Sequence, residues 1–582
     1  MTPNIMSAAM NRQQRRATEK AAAALPLDAL MRQASLCRAS GRLEEAALHY
    51  ERAAKLAPDD AELLNNLGAA YLELGQLQQA SEIFARVIDV KATTLDDVAG
   101  TLNTAVEVAP GLREAIGIAF DKWPERPPIT ELFAGDSFAK SAADPLLRKL
   151  MRSVAIRDVG FERLLTGLRR NLTIGRASEP APLRRLLDFY GALAEQCFIN
   201  EYIYAAMPDE RAQHASLRFL VEAAIAEGSA IREEDVIVLA MYAPLETLAN
   251  AYLLTQRKFS DPVKKIIAQQ IEEPAQERSL NASIPALTAI DDAVSQAVRD
   301  QYEANPYPRW IKVSVNRKPD TLPIYLERMV PGATFEPPPA SGDMLIAGCG
   351  TGRHAIEMTS KIGGMKVLAI DLSKASLAYA LRKTPPELAS RLSYSQADLL
   401  KIRDINRSFD IISVAGVLHH MQDPMAGWRN LDALLKPNGF MHVGLYSESA
   451  RQKIVEARQF IAAKGYKPTA DGIRDARQAI IDNPDLNLVT RWGDFYSMSD
   501  CRDLLFHVQE HRFTIPKIKT AIDELGLRFL GFILPPPLAE TWRNKFAQKG
   551  WKMEDLARWD AVEQDNPMLF AGMYQFWLQK RR

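Results

Sequence analysis

Gly348-Cys349-Gly350-Thr351-Gly352 is the segment whose residue types and spacing speak most directly of chemistry. The apolar run Met344-Leu345-Ile346-Ala347 precedes it, and Val367-Leu368-Ala369-Ile370-Asp371 follows. A buried strand, a tight glycine turn, a helix and a second strand ending in an acid make a nucleotide-binding half-site. The glycines admit a ligand where any side chain would collide. The acid at the strand tip accepts hydrogen bonds from ribose hydroxyls. A dinucleotide fingerprint needs a further glycine at 353, and Arg353 stands there, which argues against NAD and FAD. His419 and His420, at the end of the apolar run from Phe409, form a second candidate group. A third is His507-Val508-Gln509-Glu510-His511, which fits HxxEH and on a helix would set two histidines on one face with a carboxylate between them. No third ligand lies near it in sequence, so no metal is expected. Two readings stay open for it: recognition of a polar acceptor by His507, Glu510, His511 and Arg512, joined by Asp494, Phe495 and Tyr496, or a solvated structural role.

In order along the chain, these residues resemble the class I S-adenosylmethionine (SAM) methyltransferases, type 11/12-like, whose glycine motif reads GxGxG and whose second strand ends in Asp or Glu. The resemblance continues through Gln396-Ala397-Asp398-Leu399, through Phe409 to His420, and through Leu434-Leu435-Lys436-Pro437-Asn438-Gly439, read as a helix end and turn before a strand from Phe440 to Tyr446. It implies that SAM is the cofactor. Gly348, Gly350 and Gly352 would hold its methionine side, Asp371 and Leu372 its ribose, Asp398 and Leu399 its adenine, with Ala415 at the exit of the fourth strand. The connector Tyr302-Glu303-Ala304-Asn305-Pro306-Tyr307-Pro308-Arg309-Trp310 resembles the family's lid. By that likeness Tyr302 or Tyr307 closes on SAM and Arg309 meets its carboxylate; the other reading is a packed linker. Catalytic candidates at the rim are His419, His420 and Tyr446, with general-base and packing roles both open for the histidines. Ile346 departs from the family, many of whose members carry an acid there. With no Asn-Pro-Pro-Tyr type phrase after strand four, the resemblance favours an O or N acceptor on a protein, peptide or small metabolite. The competing reading is an adaptor with a SAM-sensing or degenerate domain.

These groups need elements to position them, and 582 residues allow about three to four domains. Residues 27–94 repeat at a shift of 34, pairing Ala34 with Gly68, Gly41 with Gly75, Ala46 with Ala80 and Tyr50 with Phe84, and resemble tetratricopeptide repeats. A concave surface for a protein or peptide partner and a helical spacer or dimer contact are equally open. A basic tail over 1–26 precedes them, and an all-helical region over 95–290 follows, including Leu183 to Tyr190 and Val236 to Tyr242. The remainder divides into linker and lid (291–340), SAM-binding core (341–446), a helical insertion for substrate (447–526) and the last strands (527–582), near Leu527 to Leu534 and Met568 to Trp577. The expected fold is therefore multidomain: an all-α N-terminal half and a C-terminal α/β Rossmann-like half with a seven-stranded sheet. With 72 basic and 72 acidic residues the net charge is zero, so no broadly basic nucleic-acid face is expected. No apolar run reaches the about 18 residues that suggest a membrane span. Four scattered cysteines fit a reducing, cytoplasmic setting.

Overall fold

The computed structural model describes residues 25–90, 98–175, 186–316 and 318–581. Most of the basic tail, the end of the repeat region after 90 and the expected helical residues Leu183 to Arg185 lie outside them. The chain divides into two compact units, Met1–Glu272 and Glu273–Arg582. Among the described residues, no helix is long and apolar enough to cross a membrane.

The first unit is helical. Helices Leu27–Ala39 and Leu43–Leu56 recur, displaced by 34 positions, as Ala61–Glu73 and Leu77–Val90. Small residues are required where the repeat pairs cross, because a Cβ on Gly68 would stand 2.7 Å from the Phe84 ring. Asp60 starts the third helix by accepting the Glu62 and Leu63 N–H groups at 3.0 Å each, which satisfies two donors that a helix start leaves open. Further helices follow, among them Val159–Gly175, Leu187–Ile199, Pro208–Glu227 and Glu233–Ala240. Arg169 is fully buried there, paired with Glu210 at 3.3 Å and stacked 4.3 Å over Tyr242.

The second unit is a seven-stranded sheet of order β3-β2-β1-β4-β5-β7-β6. Its strands are β1 Gly342–Ala347, β2 Met365–Asp371, β3 Leu392–Gln396, β4 Phe409–Ala415, β5 Leu435–Leu445, β6 Leu527–Phe532 and β7 Tyr574–Lys580. The first five run parallel and β7 is antiparallel to both neighbours. The central strands read as continuous apolar runs because both faces are buried. Leu345 and Ala347 enter one core while Met344 and Ile346 enter the other, and β2 divides in the same way. The structure corrects three local expectations. β7 starts at Tyr574, not Met568, because Phe570 turns inward against Phe532 and Tyr574. β5 starts at Leu435, inside the expected turn, with an irregular register opposite Phe409 and Ile411. Residues 507–511 are not helical, since helix Met498–Phe506 stops at His507, with φ −57° and ψ 136°. Helix Glu273–Asn281 belongs to the second unit, where Glu273 and Glu277 each pair with Arg382 at 2.8 Å.

Candidate functional site

Strand order reverses between β1 and β4, and ligands of open α/β sheets bind beyond the C-terminal strand ends at such a point. The glycine turn leaves β1 there. Gly350 has φ +52°, and a Cβ on it would stand 2.5 Å from the Tyr307 carbonyl oxygen; one on Gly348, at φ +68°, would stand 2.2 Å from Val417 Cγ2. Asp371 ends β2 and braces the turn, its Oδ2 accepting the Gly350 N–H at 2.8 Å and its Oδ1 the Ser373 N–H at 3.0 Å. Burial raises this carboxyl above its ordinary range, against the pull of those backbone donors. With the Leu372 N–H also acting on it, the carboxylate keeps acceptor capacity for a ligand hydroxyl. Ile346 is core. Thr351 braces the turn as well: its N–H donates to the Tyr307 carbonyl at 3.2 Å, its hydroxyl to the Pro308 carbonyl, and Trp310 Nε1 donates to its carbonyl at 3.2 Å.

Asp398 lies just past β3. Its N–H donates to Thr288 Oγ1 at 2.7 Å and its Oδ1 accepts the Leu400 N–H at 2.9 Å. Its Oδ2 is buried with no hydrogen-bond partner among the described residues. An unmet buried acceptor costs about 1–3 kcal/mol, so this oxygen is placed for a donor from outside the chain. Leu399 packs into the core, whereas Leu372, Ala415, Gly416 and Val417 stay partly open at the strand ends.

The connector helix Ala293–Ala304 stops before Pro306, as the proline requires. Glu303 pins it down by accepting the N–H groups of Lys374 at 2.6 Å and Ala375 at 3.1 Å, a carboxylate on the start of helix Lys374–Lys383. Tyr302 and Tyr307 stack with ring centroids 6.0 Å apart, and Tyr302 donates to Asp503 Oδ1 at 2.7 Å. Burial, reinforced by Asp503, pushes both phenols well up, so they act as neutral donors. Arg309 lies within electrostatic reach of Tyr379.

The rim histidines differ. His419 is fully buried, stacked 3.8 Å on Tyr446, with neither ring nitrogen bonded among the described residues, and burial holds its pKa well below the ordinary value. Arg451 covers the Tyr446 ring at 3.7 Å. His420 donates from Nδ1 to the Gln509 carbonyl at 2.8 Å and stacks 3.8 Å on His507. His507 Nδ1 accepts the Gln509 N–H at 3.1 Å, leaving Nε2 3.3 Å from the Tyr302 hydroxyl. Burial lowers the His507 pKa to about 4. Glu510 is turned away from His507 into an arginine cluster: Arg451 and Arg458 at 2.8 Å each and Arg512 at 3.4 Å. Burial alone would raise its carboxyl, but Arg451 and Arg458 outweigh that and hold it low. His511 donates its backbone N–H to the His419 carbonyl at 2.7 Å. The expected pairing of two histidines around Glu510 is therefore replaced by separate contacts.

The cluster that does form is His420, Asp503 and His507, whose ligand atoms lie within 4.8 Å of one another. Sequence reasoning passed over Asp503, although its i,i+4 spacing to His507 was a usable signal. A metal needs in-plane lone pairs that converge. Here the imidazoles are stacked at 28°, and the Gln509 N–H on His507 Nδ1 places the ring proton on Nε2, facing the cluster. That arrangement suits passing a proton better than holding a cation. Beneath the site a second polar chain crosses the sheet: His354 Nε2 to Ser413 Oγ at 2.8 Å and Ser413 Oγ to His442 Nδ1 at 2.9 Å.

Residues 345–441 match the methyltransferase domain family, and residues 34–75 and 61–94 match tetratricopeptide repeat families. An uncharacterized protein of Synechococcus is 28% identical over 265 residues, 42% of this chain and 61% of that relative. A protein named phosphoethanolamine N-methyltransferase 2, of Caenorhabditis elegans, is 28% identical over 21% of this chain and 28% of its own length. The structure of PKMT2 from Rickettsia typhi aligns at 15% identity and a TM-score of 0.33, over 46% of this chain and 56% of that one. The chain thus spans under two thirds of each of these relatives.

Proposed function

We propose that this chain, which joins tetratricopeptide repeats to a methyltransferase domain, transfers a methyl group from SAM to an O or N acceptor on a protein, peptide or small metabolite. The observation that carries the reading is Asp398: its bare Oδ2 beyond β3 fits the amine of an adenine. Asp371 fits the ribose hydroxyls, and the glycine turn beside it, which Gly348 and Gly350 allow to pack closely against Val417 and the Tyr307 carbonyl, fits the methionine side. When bound, SAM supplies an electrophilic methyl on a sulfonium. The protein's task is then chiefly to align the acceptor and exclude water. Tyr302 and Tyr307 serve as the cover, kept in place by Glu303 and Thr351. His420 is the candidate base, whereas His419 and Tyr446 form its packed support. The repeats fit a protein or peptide partner. The four cysteines are all unbridged, in keeping with a reducing, cytoplasmic setting. The test is release of S-adenosylhomocysteine when the protein is incubated with SAM and an extract of its source organism. Release that Asp371→Ala abolishes supports transfer; no release from the wild type refutes it.

A further inference from the structure

The class of acceptor is written in how the rim histidines are held, an inference that rests on the methyltransferase reading above. The backbone of residue 509 lies between two imidazoles, its carbonyl accepting from His420 Nδ1 and its N–H donating to His507 Nδ1. A carbonyl can only accept and an N–H can only donate, so in their neutral forms the two rings take opposite tautomers. His507 keeps its proton on Nε2, beside the Tyr302 hydroxyl and 3.9 Å from Asp503 Oδ1. His420 keeps a lone pair on Nε2. That nitrogen has no hydrogen-bond partner among the described residues, in a side chain only 7% exposed. A buried imidazole locked with its basic nitrogen free is a receiver for a proton that the chain itself does not supply.

The charges around it say which proton. Asp503 is buried at 3% exposure, and Asp494 and Asp503 both act on Tyr307 and Tyr446. Arg451, Arg458 and Arg512 converge on Glu510, with Arg451 also covering the Tyr446 ring at 3.7 Å, and Asp503 is the carboxylate grouped with His420 and His507, its ligand atom within 4.8 Å of theirs. A sulfonium and an ammonium repel each other, and nearby carboxylates together with removal of one proton are what allow them to meet. Asp503 would repel a carboxylate acceptor, and an alcohol carries no charge for it to attract, whereas an ammonium is drawn to it.

We propose that the acceptor is a primary or secondary amine that arrives as its ammonium, and that His420 Nε2 takes its proton before transfer. The nitrogen lone pair so released forms the new C–N bond to the methyl carbon as the S–C bond breaks, its electron pair going to sulfur. The product is the methylated ammonium, and the proton on His420 leaves to solvent. The ionisable groups around His420 are His507, Asp503 and Glu510 from the insertion, Tyr302 from the connector, and His419 and Tyr446 from the strand ends.

The experiment uses the full-length protein, SAM labelled in its methyl group, and an extract separated into peptide and small-molecule fractions. Label in the peptide fraction identifies an amine carried on a side chain, and label in the other a free alkylamine. Mass spectrometry and stability to alkali then identify the methylated atom. Label on an amine nitrogen in either fraction is expected. His420→Gln should keep SAM affinity by calorimetry and slow transfer about 10²–10⁴-fold near neutral pH. Because solution then supplies the free amine, that deficit should shrink about tenfold per pH unit on the way to an amine pKa of about 10.4. Label on oxygen, sulfur or carbon overturns the proposal, as does a His420→Gln deficit that stays constant with pH. Bound SAM without any label overturns transfer itself, and no SAM binding by the wild type overturns the reading beneath it.

Discussion

Acidification should loosen the second unit through His354 and His442, the polar chain under the glycine turn. Burial lowers the pKa of His354 to about 4 and that of His442 to about 3. In the unfolded chain both return to about 6.5. The unfolded state then binds more protons between those limits, so stability rises with pH and is lost as pH falls through about 6.5 towards the folded values. At about pH 5 an unfolded histidine is almost wholly protonated and a folded one almost wholly neutral, which costs about 2 kcal/mol for each ring, or about 4 kcal/mol for the pair. Asp371 and Glu563, whose carboxyls burial raises, act with the opposite sign, so the raw slope mixes both. The clean comparison is wild type against His442→Leu, by urea unfolding at about pH 7.5 and about pH 5. Leucine leaves Ser413 bonded to His354 and removes one titrating group. The variant should lose about 2 kcal/mol less than wild type over that interval. Equal losses, or a His442 imidazole signal that titrates above pH 6 in the folded protein, would refute the reasoning.

Gly350→Ala should destabilise the second unit by at least about 1–2 kcal/mol, since the left-handed backbone disfavours a side chain and the new Cβ presses on the Tyr307 carbonyl; urea unfolding reads it. Asp398→Ala should lower SAM affinity by about 1–3 kcal/mol while changing the melting temperature of the free protein little, because removal of the unmet Oδ2 offsets loss of the bond from the Leu400 N–H to Oδ1. Glu510→Ala leaves Arg451 buried without its partner and should cost about 3–5 kcal/mol in denaturant unfolding. Gly68→Val should unfold the repeat helices first, with an overpacking cost of about 1–3 kcal/mol against Phe84, seen as early loss of helical circular dichroism.

Local pattern carried the fold a long way. The displacement by 34 recurs in the helix boundaries themselves, and in the second repeat Gly68 leaves room for the Phe84 ring of the paired helix. The parallel strands were legible as apolar runs because both faces are covered. The HxxEH segment was not, since its helical spacing is overridden from a distance. The His511 and Phe513 N–H groups donate to carbonyls of His419 and Tyr446, and Glu510 is drawn into three arginines. No local rule foresees those partners. Nor does one bring Tyr302 to Asp503 across 201 positions, which is why the sequence does not single out Asp503 beside the rim histidines.

The most direct measurement of the central claim is calorimetric titration of the purified full-length protein with SAM, in parallel with Asp371→Ala. The account predicts saturable binding near one SAM per chain, lost in the variant whose glycine turn has lost its brace and its ribose acceptor. Wild-type protein that takes up no SAM, or an Asp371→Ala variant that binds it as tightly, would contradict it.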